Sequence, residues 1–418
     1  MRYFSSRVFI GAALFLGLGA LGVNFALAQT TVLQLPPAGG SYVDPITGKT
    51  VYRLTDRQLC PAGAHHIYSD TFEHSSYGTI VRCGYDRTNT NVWRWVLIGP
   101  DHKTVLFSDL TTTAKAPTSA NNFHELQWLP DQKRILGRNG ASIYELDPWN
   151  GVTKLYVQMP TIGTTACRFD WRVNPQGHVV AHTGNKLTMC IFDPATGIVS
   201  TKDVGSIASN PDQTSALWNG KGLFTWNKNP QRAWDPDFSN EIIFDDFHGH
   251  LGQFRDAGGQ WYTVNTKEDK LASGGVGQIG CPGIAWRPEM GIYNASTGKR
   301  VLIWGCDQPA GAGGSDRDHW TTASAINRFA SSGHTSIALW DVDWTTGKVS
   351  RTELARTHTT LPDGSKPYWG TPRATANYDL TEVLFTSGMC DGQVLETDGS
   401  VKKCPANIVL DTDLYIVA

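Results

Sequence analysis

Short segments in which apolar and polar residues alternate fill most of this chain, and turns rich in Asp, Pro, Asn and Gly separate them. Alternation with a period of two is typical of β-strands that bury one face, and these turn residues favour tight hairpins. Residues 123–157 contain a complete unit, in which four such strands are joined by three short turns. The pattern therefore predicts a chain built from small antiparallel sheets.

Strand-turn-strand segments like those of this unit recur about every 45 residues. They occupy residues 92–108, 142–157, 188–204, 290–304 and 336–354. Four-stranded antiparallel sheets that repeat around a centre form a β-propeller, and these segments fit the third and fourth strands of its blades. Residues 206–247 fit either one more blade or a long insertion. The spacing thus predicts an all-β propeller with six or seven four-stranded antiparallel blades.

The two ends of the chain complete this pattern. Residues 412–418 read as a third strand with nothing after it, and residues 44–56 read as a turn and a fourth strand with no third strand before them. We therefore expect the last blade to be closed by the N-terminal strand, which would remove an unpaired sheet edge.

Residues 1–28 have the features of a signal peptide. Arg2 and Arg7 precede an apolar run that ends in Ala26-Leu27-Ala28, a small-residue cleavage pattern. An uncleaved membrane anchor is the alternative, but no later segment is long and apolar enough to span a bilayer. The sequence predicts a periplasmic or extracellular protein with one domain at residues 29–418 and no membrane contact beyond the signal peptide.

Charge and cysteine content narrow the possible partners and compartment. Charged residues make up 18% of the chain and the formal net charge is -2, which leaves no basic surface for nucleic acid. All eight cysteines follow the predicted signal peptide, and an even number in an exported protein indicates disulfides. Many connectivities are open, and we favour pairs that each fall within one predicted blade or its loop. These are Cys60–Cys83, Cys167–Cys190, Cys281–Cys306 and Cys390–Cys404.

Three stretches carry a resemblance to known propellers. They are WLPDQKRIL at 128–136, VNPQGHVV at 173–180 and ATANYDLTEVLFTSG at 374–388, the last preceded by HTT at 358–360. They resemble blades of the TolB-like propellers, and the last stretch resembles the final blade of oligogalacturonate-lyase-type polysaccharide lyases. The resemblance implies an enzyme that cleaves an acidic, uronate-containing oligo- or polysaccharide by β-elimination, and we expect it to act as a monomer. The alternative is a non-catalytic TolB-like propeller that binds a glycan or a protein partner.

Seven of the twelve histidines lie where the innermost strand of a predicted blade begins. Such positions converge on the central funnel of a propeller, where imidazole can exchange a proton or bind a transition metal. A uronate lyase needs a cation for the carboxylate, a base and an acid. The candidate catalytic residues are Arg168 and Arg373 as cations, His124 or His248 as base, and Tyr68 or Tyr368 as acid.

His248 and His250 occupy alternate positions of one predicted strand and could bind a divalent metal such as Mn, Zn or Ca. With His358 they form the candidate metal set. The related lyases use a His-rich site for metal binding or proton transfer, so the resemblance points to these three residues and to His124. In the alternative interpretation, the rings only hydrogen-bond the inner strands.

Aromatic side chains stack on sugar rings, and this chain contains 15 Trp. Trp residues within alternating segments are expected to pack between blades, whereas those in predicted loops or strand starts are candidates for carbohydrate binding. The candidate substrate-binding residues are His65, His66, Trp171, Trp320 and Trp369.

Overall fold

The structure is a computed structural model, and every element whose bounds it gives is a β-strand. It describes residues 32–61, 63–65, 71–84, 94–110, 125–130, 132–207, 211–226, 230–245, 247–270, 276–278, 280–281, 284–288, 290–304, 319–333, 336–359, 372–403 and 412–418. Among these residues there is no helix with the length and hydropathy of a membrane span.

Seven sheets of four to six strands follow one another along the chain. Sheet 1 comprises Ala64–His65, His74–Ser75, Gly78–Cys83, Arg94–Ile98 and Val105–Phe107. Sheet 2 comprises Leu126–Trp128, Ile135–Asn139, Ser142–Asp147 and Val152–Gln158. Sheet 3 comprises Thr161–Ile162, Thr165–Val173, Val179–Thr183, Thr188–Asp193 and Ile198–Asp203. Sheet 4 comprises Pro211–Ala216, Gly222–Trp226, Arg232–Trp234 and Ile242–Ile243.

The remaining large sheets have the same plan. Sheet 5 comprises Phe247–Arg255, Trp261–Lys270, Val276–Gln278, Met290–Asn294 and Arg300–Trp304, joined by Thr322–Ile326. Sheet 6 comprises His319–Trp320, Arg328–Ser332, Ser336–Asp343 and Lys348–Arg356. Sheet 7 comprises Ala374–Ala376, Val383–Ser387, Asp413–Val417, Thr50–Arg53 and Ser41–Val43. Two small sheets contain Leu33–Gln34, Asp391–Leu395 and Val401–Lys403, and Gly280–Cys281 and Ile284–Pro288.

The all-β architecture and its hairpins agree with the sequence pattern. Each of the five predicted strand-turn-strand segments forms an antiparallel pair, as in residues 142–158, where Asp147 pairs with Val152 across the turn. The unit at 123–157 provides the four strands of sheet 2 in chain order. The segment that sequence left ambiguous, 206–247, supplies the whole of sheet 4.

The two chain ends meet in sheet 7. Thr50–Arg53 pairs antiparallel with Asp413–Val417, and Val51 lies opposite Val417. Ion pairs reinforce this junction, because the buried Arg53 lies 2.7 Å from Asp413, which also receives Lys402 at 3.2 Å. Neighbouring strands of the last sheet therefore come from opposite ends of the chain.

Buried apolar side chains form seven clusters, and successive sheets share each of them. Ile80 and Trp95 of sheet 1 pack with Leu126 of sheet 2 in one cluster. The other clusters likewise combine side chains from two neighbouring sheets. In one of them, Val81 of sheet 1 packs with Leu384 of sheet 7. Most of the core thus lies between the faces of neighbouring sheets, where alternating strands place their apolar side chains.

The first strands of successive sheets contact one another directly. Gln127 Nε2 donates to the Trp171 carbonyl at 3.1 Å, and Thr214 Oγ1 donates to the Asp170 carbonyl at 2.6 Å. Thr375 Oγ1 of sheet 7 donates at 2.7 Å to the carbonyl of Thr71, which precedes His74–Ser75 of sheet 1. Phe247–Arg255 and Thr322–Ile326 pair in parallel, so these two strands begin at the same end. We call that end of the sheets the strand-start face.

The opposite end of the first strands is filled with aromatic rings. Trp218 is 1% exposed, and its ring centroid lies 5.1 Å from that of Phe72, 5.2 Å from Trp261 and 5.3 Å from Tyr378. These four rings belong to sheets 4, 1, 5 and 7. The rings of Phe72, Trp261 and Tyr378 thus pack around Trp218 at this end.

Two of the predicted disulfides are present, Cys60–Cys83 and Cys167–Cys190. Cys390 is also disulfide-bonded. Cys306 and Cys404 lie outside the described residues, so the other two predicted pairs stay predictions.

Candidate functional site

Several candidate residues from the sequence lie at the strand-start face. Arg168 is the fourth residue of Thr165–Val173, His248 and His250 are in Phe247–Arg255, and Arg373 directly precedes Ala374–Ala376. His65 lies in Ala64–His65 and pairs with Arg82. For His65, His248 and His250 the structure describes the backbone only. The backbone of His248 pairs with that of Thr266, and the pairing shifts register after His248. Tyr68, His66, His124, Tyr368 and Trp369 lie outside the described residues.

Trp171 and Trp320 do not have the role predicted for them. Trp171 is fully buried in the cluster between sheets 2 and 3. Trp320 is 1% exposed and lies edge-on to Phe329 in the cluster between sheets 5 and 6. Both rings fill the space between sheets, so neither can stack on a ligand. Their positions at predicted strand starts misled the prediction, because a strand start also has a side that faces the core.

Arg373 and His358 lie close to the joint between sheets 6 and 7. Arg373 is 2% exposed, so its guanidinium lies behind the surface and suits a supporting role better than direct contact with a glycan. His358 has a left-handed backbone, with φ of 46°, and its carbonyl accepts the backbone N–H of Cys390 at 2.7 Å. The disulfide-bonded Cys390 thus holds the His358 loop against the end of Val383–Ser387.

Arg168 is half-exposed, and the residues around it form an unusual surface. Its guanidinium carbon lies 5.3 Å from the ring centre of Phe169, which is 40% exposed. The next residue, Asp170, has φ of 45°, a conformation that costs energy for any residue other than glycine. Sequence reasoning selected Arg168 and passed over Phe169, Asp170 and His182. The sequence feature that could have identified this surface is the run Arg168-Phe169-Asp170, in which a cation, an aromatic ring and an anion follow one another.

Asp170 is held by His182, a buried residue of Val179–Thr183. His182 Nε2 lies 3.0 Å from Asp170 Oδ2, and Nδ1 lies 2.5 Å from the carbonyl oxygen of Thr183. Both ring nitrogens thus lie within hydrogen-bond distance of an oxygen atom. Burial by itself would raise the pKa of Asp170, but the hydrogen bond from His182 and the charge of Arg172 outweigh burial and lower it. His182 and Asp170 are therefore a hydrogen-bonded pair beside the Arg168–Phe169 surface.

A second cluster of titratable groups lies at the opposite end of the sheets. Glu382, in the turn after Ala374–Ala376, accepts hydrogen bonds from His74 Nε2 and His102 Nε2, both at 2.9 Å. The two histidines belong to sheet 1 and the carboxylate to sheet 7, so this cluster joins the first and last sheets.

Within the described part of the chain, no group of three or more His, Cys, Asp or Glu side chains is arranged to hold a metal ion. The metal ligands predicted from sequence include His248 and His250, whose side chains lie outside the described part of the structure. His358 alone does not provide a metal site.

Comparison with known proteins identifies the architecture. No family model and no curated protein matches this sequence. A solved oligogalacturonate lyase in complex with manganese superposes with a TM-score of 0.54 at 13% identity, over 91% of this chain and 95% of that one. An oligogalacturonate lyase from Vibrio parahaemolyticus gives 0.54 at 12% identity, over 90% and 96%. The fold is a β-propeller. Virginiamycin B lyase from Staphylococcus aureus is a further similar propeller, with a TM-score of 0.48 at 13% identity over 88% and 98%.

Proposed function

We propose that this propeller is a lyase-like enzyme that cleaves an acidic, uronate-containing glycan by β-elimination at its strand-start face. The observation that carries the proposal is Arg168, a half-exposed cation at the start of an inner strand, beside an exposed aromatic ring. A guanidinium pairs with a carboxylate through two parallel hydrogen bonds, and an aromatic ring suits the apolar face of a sugar. The likeness of fold to oligogalacturonate lyases is in keeping with this chemistry.

The reaction divides into tasks that the candidate residues can perform. Arg168, supported by Arg373, neutralises the uronate carboxylate and thereby acidifies the proton on the adjacent ring carbon. His248 or His124 removes that proton as the base. The electron pair forms a carbon–carbon double bond while the glycosidic carbon–oxygen bond breaks. Tyr68 or Tyr368 donates a proton to the leaving oxygen, which gives an unsaturated uronate and a new free end.

We propose His248, His250 and His358 as the ligands of a divalent metal (Mn, Zn or Ca). The solved oligogalacturonate lyase holds manganese. The described side chains of this chain form no such ligand group, so they do not by themselves fit a metal, and the steps above do not depend on one.

We further propose that the seven sheets are the blades of one closed ring and that the protein is an exported monomer. Seven core clusters between successive sheets, including the cluster shared by sheets 7 and 1, support the ring. The two disulfides support export, because such bonds persist in oxidising compartments.

The test is to incubate the purified protein with pectin, alginate or ulvan fragments, with and without added Mn, Zn or Ca, and to record the ultraviolet band of unsaturated uronates. We expect Arg168→Ala to lower kcat/KM by about a hundredfold, as loss of a charge-stabilising donor does elsewhere. Arg328→Ala is the matched control, because Arg328 forms an exposed pair with Asp341 away from the strand-start face. Absence of product from every glycan, with and without metal, would contradict the lyase. Saturable binding without turnover would favour the TolB-like binding propeller.

A further inference from the structure

The strand Thr165–Val173 is irregular on both sides of Phe169. Its pairing with Val179–Thr183 shifts register between Cys167 and Phe169 and again between Phe169 and Arg172. Consecutive residues of a regular strand point to opposite faces, and a bulge changes where a side chain points. Here the irregularity brings the side chains of two consecutive residues, Arg168 and Phe169, to one side.

The Phe169 ring has firm support from sheet 3. It is stacked with the His182 ring at a centroid distance of 6.1 Å and an interplanar angle of 17°. It also lies over Gly184, where a Cβ atom would come 2.6 Å from Phe169 Cε2, so a side chain at that position would displace the ring. Although supported in this way, Phe169 remains 40% exposed. The guanidinium carbon of Arg168 lies over the ring, 5.3 Å from its centroid.

Asp170 fixes this arrangement through both its side chain and its backbone. The carboxylate is paired with the buried His182, and the carbonyl accepts the hydroxyl of Thr214 from sheet 4 at 2.6 Å. These contacts hold Asp170 in its left-handed conformation. Backbone strain of this kind persists only where the surroundings enforce it, and it occurs often where a ligand is clamped.

We propose that Phe169 and Arg168 form a subsite for one sugar-acid residue, with Asp170 and His182 as positioning residues. The apolar face of the pyranose ring stacks on Phe169, and its carboxylate pairs with Arg168. The inference rests on the proposed function for the class of ligand, an acidic glycan, but it does not require that the glycan be cleaved.

The test measures Kd by calorimetry for short oligogalacturonates, alginate oligosaccharides and ulvan oligosaccharides, with neutral galactan oligosaccharides as the ligand control. We expect Phe169→Ala to weaken binding of an acidic oligosaccharide about tenfold, equivalent to about 1.4 kcal/mol. Arg168→Lys keeps the charge but loses the bidentate hydrogen bonds to the carboxylate, so we expect an intermediate loss of affinity. Ile198→Ala is the matched control, since Ile198 is 59% exposed on the outer strand of the same sheet. Thermal unfolding of each variant shows whether it is folded.

The role of Asp170 needs a separate measurement. Asp170→Asn keeps a residue that tolerates the left-handed conformation and removes only the charge. If Asp170 acts by positioning Phe169 and Arg168, the triple variant Asp170→Asn/Phe169→Ala/Arg168→Ala will bind no more weakly than Phe169→Ala/Arg168→Ala. Additive losses would overturn the positioning role.

The outcomes separate this inference from the lyase. Binding that depends on Phe169 in a protein without turnover would uphold the subsite and contradict the lyase. Turnover with unchanged Kd and KM in folded Phe169→Ala and Arg168→Lys would uphold the lyase and overturn the subsite. Failure of the wild-type protein to bind any acidic oligosaccharide would also overturn the subsite.

Discussion

A cluster of three side chains links the first and last sheets. Glu382 of sheet 7 lies between His74 and His102 of sheet 1 and accepts one imidazole N–H with each oxygen. His74 is further held by Thr79 at 2.9 Å. A carboxylate that accepts two such bonds is stabilised in its ionised form. The cluster is thus a polar link beside the apolar side chains that sheets 1 and 7 share.

This link predicts a pH-dependent stability. Burial by itself would raise the pKa of Glu382, but the hydrogen bonds from His102 and His74 outweigh it and lower the pKa from 4.5 to about 2. The contribution of Glu382 is therefore complete above pH 4.5 and is lost as the pH falls towards about 2. We expect Glu382→Gln to lower the free energy of unfolding by about 1–3 kcal/mol at neutral pH, measured in urea.

The difference between wild type and Glu382→Gln is expected to shrink through that acidic window. Glu241→Gln is the control, because Glu241 forms only a surface pair with Arg232 and such pairs contribute less than about 1 kcal/mol. A difference that stayed constant down to the folded-state pKa would show that ionisation of Glu382 is not the cause.

At the scale of elements, the strand Thr165–Val173 combines regular pairing with a functional distortion. Its last residues, Arg172 and Val173, pair regularly with Val179–Thr183. Its first residues are bulged, and the Cys167–Cys190 disulfide joins them to Thr188–Asp193 of the same sheet. The cross-link, the hydrogen bond between His182 and Asp170, and Gly184 together support the Arg168–Phe169 surface.

The two disulfides allow a prediction about stability. Each joins cysteines separated by 23 residues. On the chain-entropy argument, cross-links that enclose loops of this length stabilise the fold by about 3 kcal/mol. We expect Cys167→Ser/Cys190→Ser and Cys60→Ser/Cys83→Ser to lower the free energy of unfolding by similar amounts in urea titrations. A loss in one pair several times that in the other would show that local packing, and not loop length, sets the stabilisation.

At the scale of the whole molecule, the last sheet combines strands from both chain ends. Val51 is fully buried between Val417 and the cluster that joins sheets 6 and 7. The buried Arg53 pairs with Asp413, and Lys402 lies beside the same carboxylate. Loss of the N-terminal strands would expose an edge of sheet 7 and leave these charges without their counterparts.

We therefore expect a chain that begins after residue 56 to unfold at a much lower temperature than one that begins at Val32, or to aggregate. Differential scanning calorimetry and size-exclusion chromatography of the two chains provide the measurement. Equal unfolding temperatures would contradict a structural role for Thr50–Arg53. The control chain retains every strand in the described ranges, so any difference belongs to residues 32–56.

Sequence patterns predicted the sheets well and the site less well. The hairpins at 92–108 and 336–354 follow from local alternation and turn residues, which act within a few positions of one another. Of the residues chosen for the site, Arg168 lies at the surface, whereas Trp171 and Trp320 are in the core. Local alternation does not say which side of a strand will meet the neighbouring sheet.

The sequence by itself determined the all-β architecture and the pairing of strands from the two chain ends, because both depend on periodicity along the chain, and it favoured without fixing the two disulfides at 60–83 and 167–190. Tertiary structure alone decided which side chains meet. The bulge that turns Phe169 towards Arg168 requires partners in Val179–Thr183, and the bridge from Glu382 to His74 spans 308 positions of sequence. Such contacts arise when sheets pack against one another, and no local pattern encodes them.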